Sequence, residues 1–240
     1  IIQSSWKSDS LEYKSLGKLS NDKTVLETIV NSLRKIELVS RIILTTSDHL
    51  KEEPLLVEAE RLKIESFQGP QHEVLNRVRL VAEEFPGTIL KIDGHKPLFD
   101  PTDARDLIEE HFKGDYDYSY NGHYGGVIFG TDCEGFNSKI FEKINFPRLT
   151  DEQLESGTLN FRYLGQEIKV LAKPHNSSRH HYRVVFETKK DLEVINSILP
   201  HLDEISHDSI AAVLDEHQII ASYNTIEPKR EVGLNKIMLF

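Results

Sequence analysis

The chain has 240 residues, enough for one large hydrophobic core or for one domain with a smaller appendage. Its formal charge is −10, from 29 basic and 39 acidic residues, which argues against nucleic-acid binding through a basic surface, although a polyphosphate could still bind locally. No apolar run approaches the length that a bilayer requires, so a membrane protein is not expected. The single cysteine, Cys133, rules out an internal disulfide and a cysteine-based zinc cluster, and a reducing cytoplasm is the expected location.

Short β-branched runs alternate with amphipathic stretches over the first 114 residues. After a first strand at residues 1–3, the apolar spacing predicts a helix over 24–37, and a continuous apolar run predicts a strand over 41–46. There follow a helix at about 53–62, a short run at 64–67, a helix at about 72–84 and a strand ending at Ile92. This alternation is typical of a parallel sheet with helices on both faces.

The pattern is less regular after about residue 114. A stretch rich in tyrosine and glycine is interpreted as a loop that feeds extended segments at 127–129 and 132–136. The later elements that we predict are a short helix at about 137–143, strands over 166–172 and 182–186, and helices over 189–198 and about 207–217.

A lysine-bearing loop follows the first predicted strand. Gln3 is followed by Lys7, Lys14 and Lys18, with Gly17 just before the last lysine. Neither a GxxxxGK[ST] loop nor a GxGxxG turn occurs there, so the standard nucleotide cradles are absent. Loops after the strands of a doubly wound sheet border the ligand crevice, where lysines can neutralise phosphate groups. A solvated basic loop is the alternative interpretation.

The fourth predicted strand runs into the sequence KIDGHKPLFDP, which brings Asp93, His95, Lys96 and Asp100 close to two prolines. A strand that ends in glycine and proline delivers its side chains to the rim of the sheet, where open α/β folds bind ligands. This loop is therefore a second candidate for the ligand site.

Two carboxylates, Asp132 and Glu134, lie two residues apart in a predicted extended segment and would project from the same face. Such a pair can grip sugar hydroxyls, hold a divalent ion or share a proton. The alternative explanation is the ordinary alternation of polar and apolar residues on a solvent-facing strand.

Further candidates lie late in the chain. Glu187 ends the last predicted strand, a natural position for a metal ligand, whereas Asp191 is better explained as compensation of a helix dipole. His175, His180 and His181 are interpreted as loop residues, because adjacent histidines of a strand point to opposite faces and cannot easily bind one ion.

The order of these fragments resembles the cytidylyltransferase family that includes spore coat polysaccharide biosynthesis proteins and, more distantly, the synthetases of CMP-activated acidic sugars. The family motifs IIQAR, RLPGK and TSD correspond to residues 1–3, 14–18 and 46–48. Its segments F.G...DVL.R, GDCPLIDP, GLDVEVF and R.TVDTPEDLE.I correspond to residues 67–77, 94–101, 130–136 and 183–195. The matching blocks are in the same order and cover roughly residues 1–195.

The resemblance implies a Rossmann-like α/β nucleotidyltransferase sheet that binds CTP with magnesium or manganese and transfers CMP to a sugar acid or related polyol, releasing pyrophosphate. It implies Lys14 and Lys18 as catalytic residues that cradle the triphosphate. The other nucleotide-binding residues would be Gln3, Gly17, Ser47 and Arg77, the acceptor-binding residues Asp132 and Glu134, and the metal ligands Asp93, His95 and Glu187.

On this basis we expect one domain over residues 1–220, with a nucleotide-binding half over 1–114 and an acceptor-binding half over 115–220, and a C-terminal tail over 221–240. The expected partners are CTP and a sugar-type acceptor. Binding to nucleic acid or to a membrane is not expected, and a homodimer is a possible assembly.

The sequence departs from the family pattern at the expected metal site. His95 stands where GDCPL has its metal-holding aspartate, and Glu187 stands where TVDTPEDL has an aspartate; Asp93 could substitute for the former. Three hypotheses stay open. They are an active cytidylyltransferase for a cell-surface or spore-coat sugar, a catalytically impaired nucleotide- or sugar-binding homologue acting as a partner subunit, and a glycosyltransferase that uses a nucleotide-sugar donor.

Overall fold

The computed structural model describes residues 1–6, 11–122, 127–163, 168–175, 179 and 181–224. Lys7, His180, positions 166–167 of the strand predicted over 166–172, and residues 225–240 of the predicted tail lie outside the described residues. Within those ranges, no helix has both the length and the apolar character needed to span a bilayer.

The architecture is a seven-stranded, mostly parallel sheet with the strand order β3-β2-β1-β4-β6-β5-β7. Parallel pairs join β1 to β2 and β4, β2 to β3, and β5 to β7, whereas β6 runs antiparallel between β4 and β5. The strands are β1 Ile2–Gln3, β2 Ile43–Ser47, β3 Glu65–Gly69, β4 Thr88–Asp93, β5 Tyr118–Tyr120, β6 Glu134–Asn137 and β7 Val170–Ala172. The predicted α/β class with a mostly parallel sheet is confirmed.

Several helices begin at polar caps that the sequence provides. Thr24 and Thr188 accept hydrogen bonds from backbone N–H groups in the first turns of α1 and α6, and Asp100 does the same for α4. The α-helices are α1 Val25–Leu33, α2 Glu53–Arg61, α3 Val74–Glu84, α4 Pro101–Lys113, α5 Asp151–Glu155, α6 Lys189–Ile198, α7 His207–Glu216 and α8 Gln218–Ala221. Short 3-10 helices cover Lys14–Leu16, Leu50–Glu52, Ser138–Lys143, Phe146–Arg148, Gly157–Tyr163 and Leu199–His201.

The core consists of two hydrophobic clusters on opposite faces of β4. Leu90 belongs to the cluster that includes side chains of α1, α2, α4, α6 and α7. Its neighbour Ile89 belongs to the other cluster, with side chains of α3 and the aromatic residues Tyr118, Phe136 and Phe161. Because successive side chains of a strand point to opposite faces, helices cover both faces of the sheet, as predicted.

The structure corrects two expectations in the second half of the chain. The strand predicted over 182–186 is wrong: its backbone makes an isolated bridge between Arg183 and Phe129, and Phe186 N donates to His95 O at 2.8 Å. These partners lie in separate loops, so a continuous ladder cannot form. The stretch interpreted as a loop after residue 114 contains β5, whose residues Tyr118–Tyr120 pair with β6 and β7.

Candidate functional site

Two adjoining pockets open where β1 and β4 end, at the edge where Gln3 and Asp93 are neighbours in the parallel register. The first pocket, of about 190 Å³, is lined by Gln3, Ser4, Ser5, Lys14, Ser15, Asp93, Gly94 and His95. The second pocket, of about 420 Å³, shares Gln3, Asp93 and His95 and is otherwise lined by Val74, Lys91, Lys96, Phe129, Asp132, Glu134, Glu155, Ser156, Thr158, Leu159 and Arg162.

Close backbone packing holds the lysine-bearing loop against the end of β4. Gly94 N donates to Gln3 O at 2.7 Å, and Ser15 Oγ donates to Gly94 O at 2.7 Å. The hydroxyls of Ser4 and Ser15 are also hydrogen bonded to each other. A Cβ on Gly94 would lie 2.7 Å from Ser15 Oγ and 2.8 Å from Ser4 Cβ. Only glycine therefore lets these segments approach closely enough to form the first pocket.

The late segment of the chain packs on the same loop. Phe186 N binds the carbonyl of His95, and a Cβ on Gly17 would lie 2.5 Å from Phe186 Cε1. Burial alone would raise the pKa of Glu187, but the hydrogen bond from Arg183 and the nearby His95 and Lys14 lower it. Glu187 therefore lies within electrostatic reach of the first pocket, although it does not line it.

A charge cluster lines the second pocket and reaches the first through Asp93. Lys91 Nζ contacts Asp93 Oδ1 at 2.7 Å and Glu134 Oε2 at 3.3 Å. Lys96 Nζ contacts Asp93 Oδ2 at 3.1 Å and Asp132 Oδ2 at 2.7 Å. Burial alone would lower the pKa of each lysine, but the neighbouring carboxylates raise it above the ordinary value, and the two ammonium groups hold the pKa of Asp93 well below its usual range. Lys91, Lys96 and Asp93 are thus charged at neutral pH.

The carboxylate of Glu134 is saturated with hydrogen bonds. Its Oε1 accepts from Tyr118 Oη at 2.8 Å and from Arg162 Nη2 at 3.1 Å. Its Oε2 accepts from Lys91 Nζ at 3.3 Å and from Thr158 Oγ1 at 2.5 Å. A carboxylate offers about four acceptor positions, so Glu134 has none left for a sugar hydroxyl. Its position identifies it as the residue that organises the second pocket.

Asp132 keeps more acceptor capacity than Glu134. Its Oδ2 accepts from Lys96 and its Oδ1 accepts from Gly130 N at 3.2 Å. From the described residues, Asp132 thus accepts at two of about four positions, and it lines the second pocket. Of the two predicted acceptor-binding carboxylates, Asp132 is the one with lone pairs available to a ligand.

Thr158 and Arg162 are functional candidates that the sequence did not reveal. Both belong to the 3-10 helix Gly157–Tyr163, and the Arg162 guanidinium lies 4.3 Å from the ring centroid of Tyr120. The local sequence carries a capping signal at Thr150 but no motif that distinguishes Arg162 from a surface arginine. Only the chain reversal that brings this helix onto β5 and β6 reveals its role.

Four predicted nucleotide-binding residues lie outside the two pockets: Gly17, which packs against Phe186, and Lys18, Ser47 and Arg77. Lys18 is exposed, and its Nζ donates to the carbonyl of Asp22 at 3.1 Å. Ser47 is hydrogen bonded to the buried carboxylate of Glu52, which also accepts from Trp6 N at 2.9 Å. Arg77 is buried and donates to Pro70 O at 2.9 Å, and Glu52 contributes to its electrostatic surroundings. Ser47 thus holds Glu52, which anchors the start of the lysine-bearing loop through Trp6 N.

The three predicted metal ligands do not offer a divalent ion a suitable donor set. Both oxygens of Asp93 contact ammonium groups, and Glu187 is paired with Arg183 at 2.6 Å. Burial lowers the pKa of His95 to about 4, so this residue presents a neutral imidazole, whereas magnesium prefers oxygen ligands. The residues therefore do not fit a magnesium ion at Asp93.

A different group of potential ligands lies elsewhere. Among the described residues, the set of three whose ligand atoms all lie within 4.8 Å of one another is His175, His207 and Asp208. The centroids of the two imidazole rings are 3.7 Å apart, and the rings are tilted by 31° to each other. Ring lone pairs lie in the ring plane, so rings packed face on face at this tilt do not direct them at one ion, which agrees with the interpretation of His175 as a loop residue.

The family model described as cytidylyltransferase matches residues 1–129. The chain belongs to this cytidylyltransferase family. A curated relative, the spore coat polysaccharide biosynthesis protein SpsF of Bacillus subtilis (strain 168), is 28% identical over 208 residues, which cover 82% of this chain and 84% of the relative. The resemblance inferred from the ordered motifs is thereby confirmed.

Solved structures of low identity share the fold. A cytidylyltransferase from Leptospira borgpetersenii serovar Hardjo-bovis (strain JB197) aligns with a TM-score of 0.86 at 18% identity, covering 94% of this chain and 96% of that one. CMP:2-keto-3-deoxy-manno-octonic acid synthetase, complexed with CTP, aligns with a TM-score of 0.59 at 12% identity, covering 83% and 96%. Rv0371c of Mycobacterium tuberculosis H37Rv, complexed with manganese, aligns with a TM-score of 0.57 at 15% identity, covering 82% and 96%.

Proposed function

We propose that this member of the cytidylyltransferase family transfers CMP from CTP to a sugar acid or related polyol used in a cell-surface or spore-coat polysaccharide. The observation that carries the proposal is the pair of adjoining pockets that share Gln3, Asp93 and His95. Two substrates bound in these pockets would meet at the shared wall, which is the arrangement that a transfer between them requires. The name of the SpsF relative and the CTP complex of the synthetase support the choice of substrates.

CTP would bind in the first pocket. Lys14 lines this pocket and supplies a positive charge for the triphosphate, while the close packing of Ser4 and Ser15 on Gly94 shapes the pocket wall. Gln3 Oε1 is buried and, within the described part of the chain, has no hydrogen-bond partner. An unpaired buried acceptor matches the amino group of cytosine, which is a donor where uracil has an acceptor. Gln3 is therefore our candidate for base recognition.

The acceptor would bind in the second pocket, against Asp132. Its hydroxyl oxygen forms a bond to the α-phosphorus of CTP, the bond from that phosphorus to the bridging oxygen breaks, and pyrophosphate leaves. The Asp132 carboxylate accepts the hydroxyl proton through the lone pairs that Lys96 and Gly130 leave available. Arg162 and Thr158 orient Glu134 and close the far side of the pocket.

A pyrophosphate-release assay with CTP and a panel of sugar acids and polyols tests the proposal. Release should depend on both substrates, and Asp132→Asn should lower kcat by about 100-fold or more if Asp132 is the general base. Asp106→Asn, at an exposed residue of α4, is the matched control and should leave the rate unchanged. Pyrophosphate release that is the same with and without every acceptor would contradict the proposal.

One observation favours a second candidate function. The metal-holding aspartate of the family motif is His95 here, and Asp93 is already neutralised by Lys91 and Lys96. A homologue that binds CTP without transferring CMP, as a partner subunit, would have these features. The same assay separates the two functions: CTP binding without pyrophosphate release from any acceptor identifies the binding subunit.

A further inference from the structure

A neutral imidazole and a positively charged side chain replace the metal-binding pattern at the end of β4. Relative to the family motif GDCPLIDP, His95 stands in place of an aspartate and Lys96 in place of a cysteine. At these two positions, the exchange removes one negative charge and adds one positive charge. The local change of two charge units equals the charge of a divalent ion.

The contacts of Asp93 place two ammonium groups, those of Lys91 and Lys96, where an ion would otherwise bind. Lys91 Nζ lies 2.7 Å from Oδ1, and Lys96 Nζ lies 3.1 Å from Oδ2. The side chains of Lys91 and Lys96 are only 7% and 9% exposed, so solvent screens them little. A divalent ion on Asp93 would have to displace these ammonium groups or lie beside them at close range, where like charges repel.

The two lysines are also held in place from the other side. Glu134 contacts Lys91, and Asp132 contacts Lys96 at 2.7 Å. Each ammonium group therefore bridges two carboxylates, as an ion shared between carboxylates would. Lys91 and Lys96 line the second pocket, and Asp93, which both of them contact, connects the bridge to the wall shared by the two pockets.

We propose that the ammonium groups of Lys91 and Lys96 take the electrostatic role of a protein-held divalent ion, so that this chain binds the triphosphate of CTP without such an ion. The inference rests on the proposed function and adds to it the charge that neutralises Asp93 beside the phosphates. Together with Lys14, the lysines supply fixed point charges that require no metal loading before nucleotide binds.

Equilibrium dialysis with labelled CTP, in excess EDTA and in excess magnesium, tests the inference directly. For the wild-type protein, the dissociation constant of CTP in EDTA should agree with that in magnesium within about threefold, a small difference on the scale of nucleotide affinities. Manganese titrated alone and followed by electron paramagnetic resonance should show no stoichiometric binding to the protein. Neither measurement depends on the folding of a variant.

The double variant H95D/K96C restores the two residues of the family motif. Its CTP affinity should fall at least about tenfold in EDTA and recover in magnesium, because the missing positive charge then has to come from an ion. Lys113→Met, which removes a lysine that is 72% exposed on α4, is the matched control and should behave as the wild type.

The outcomes separate the inference from the function on which it rests. Wild-type CTP binding that strengthens more than tenfold with magnesium, or stoichiometric manganese binding, overturns the inference and leaves the proposed function intact. Absence of CTP binding under both conditions overturns both.

Discussion

Replacing Glu134 by glutamine is the sharpest test of the site architecture, because it changes one charge at nearly constant shape. The side chain is 9% exposed and accepts hydrogen bonds from Tyr118, Thr158, Lys91 and Arg162. The role that we assign to Glu134 is to organise the second pocket rather than to contact the acceptor. E134Q should therefore lower the free energy of unfolding, and activity should fall because the second pocket loses its order.

The expected cost follows from the partners that the substitution leaves behind. Removing one member of a buried ion pair typically costs about 3–5 kcal/mol. Lys91 keeps Asp93 at 2.7 Å, whereas Arg162 loses the carboxylate that it contacts at 3.1 Å. One of the two paired cations thus retains a carboxylate partner, so we expect the free energy of unfolding to fall by about 3 kcal/mol, the lower end of that range.

Urea denaturation of wild type and E134Q at pH 7 measures this cost. Glu109→Gln is the matched control: Glu109 is 41% exposed and 3.1 Å from Lys113, so its loss should change stability by less than about 0.5 kcal/mol. Burial alone would raise the pKa of Glu134, but Lys91, Arg162 and Thr158 lower it below the ordinary value of 4.5.

A carboxylate whose pKa is lowered by folding contributes its full stabilisation at pH values above its ordinary pKa. This contribution is lost as the pH falls through the pKa of the folded state. The difference between wild type and E134Q should therefore shrink below about pH 4. A difference of less than about 1 kcal/mol at pH 7 would refute the assigned role, because a saturated buried carboxylate cannot be removed at so small a cost.

Three further substitutions test individual features of the site. Gly130 has a φ of 109°, and a Cβ there would lie 2.6 Å from Val185 N. Gly130→Ala should therefore lower the free energy of unfolding, measured by urea denaturation, by at least about 2 kcal/mol. A loss below about 0.5 kcal/mol would contradict the strain argument. Gly94→Ala should displace Ser15 and weaken CTP binding in equilibrium dialysis by about tenfold or more, whereas unchanged affinity would place the triphosphate elsewhere. Gln3→Leu should reduce the ratio of CTP to UTP affinity, and an unchanged ratio would remove Gln3 from base recognition.

The first half of the fold was predictable because its signals are local. The amphipathic spacing after Thr24 and the apolar run of β2 correspond to α1 and β2, with ends shifted by a few residues. The helix over residues 189–198 was predicted with its observed bounds, because Thr188 caps it and the apolar period is regular. Helix α4 was not assigned, although the pair Asp100 and Pro101 is a start signal for a helix.

The second half was harder because its pairing is nonlocal. Tyr118–Tyr120 forms a strand because it pairs with β6 and β7. A tyrosine-rich sequence does not by itself specify this pairing. The segment 182–186 has the composition of a strand but meets two loops instead of a strand edge. Composition predicts which residues suit a sheet, and the neighbours that the topology provides decide whether a ladder forms.

For the site, the sequence predicted that the residues following adjacent strand ends lie close together. Gln3, Lys14, Asp93 and His95 were expected at one edge of the sheet, and all four line the first pocket. Lys18 follows Lys14 by four residues, but the 3-10 turn at Lys14–Leu16 and the bridge to Thr24 point the chain away from the pocket. Proximity in sequence could not predict that turn. The division of the chain at residue 114 stays a prediction.

A structure determined with CTP bound tests the central claim most directly. We predict that the triphosphate lies between Lys14 and Gly94, that the amino group of cytosine faces Gln3, and that the α-phosphorus faces Asp132 across the shared wall of the two pockets. CTP bound at any other surface, with both pockets vacant, would contradict the account.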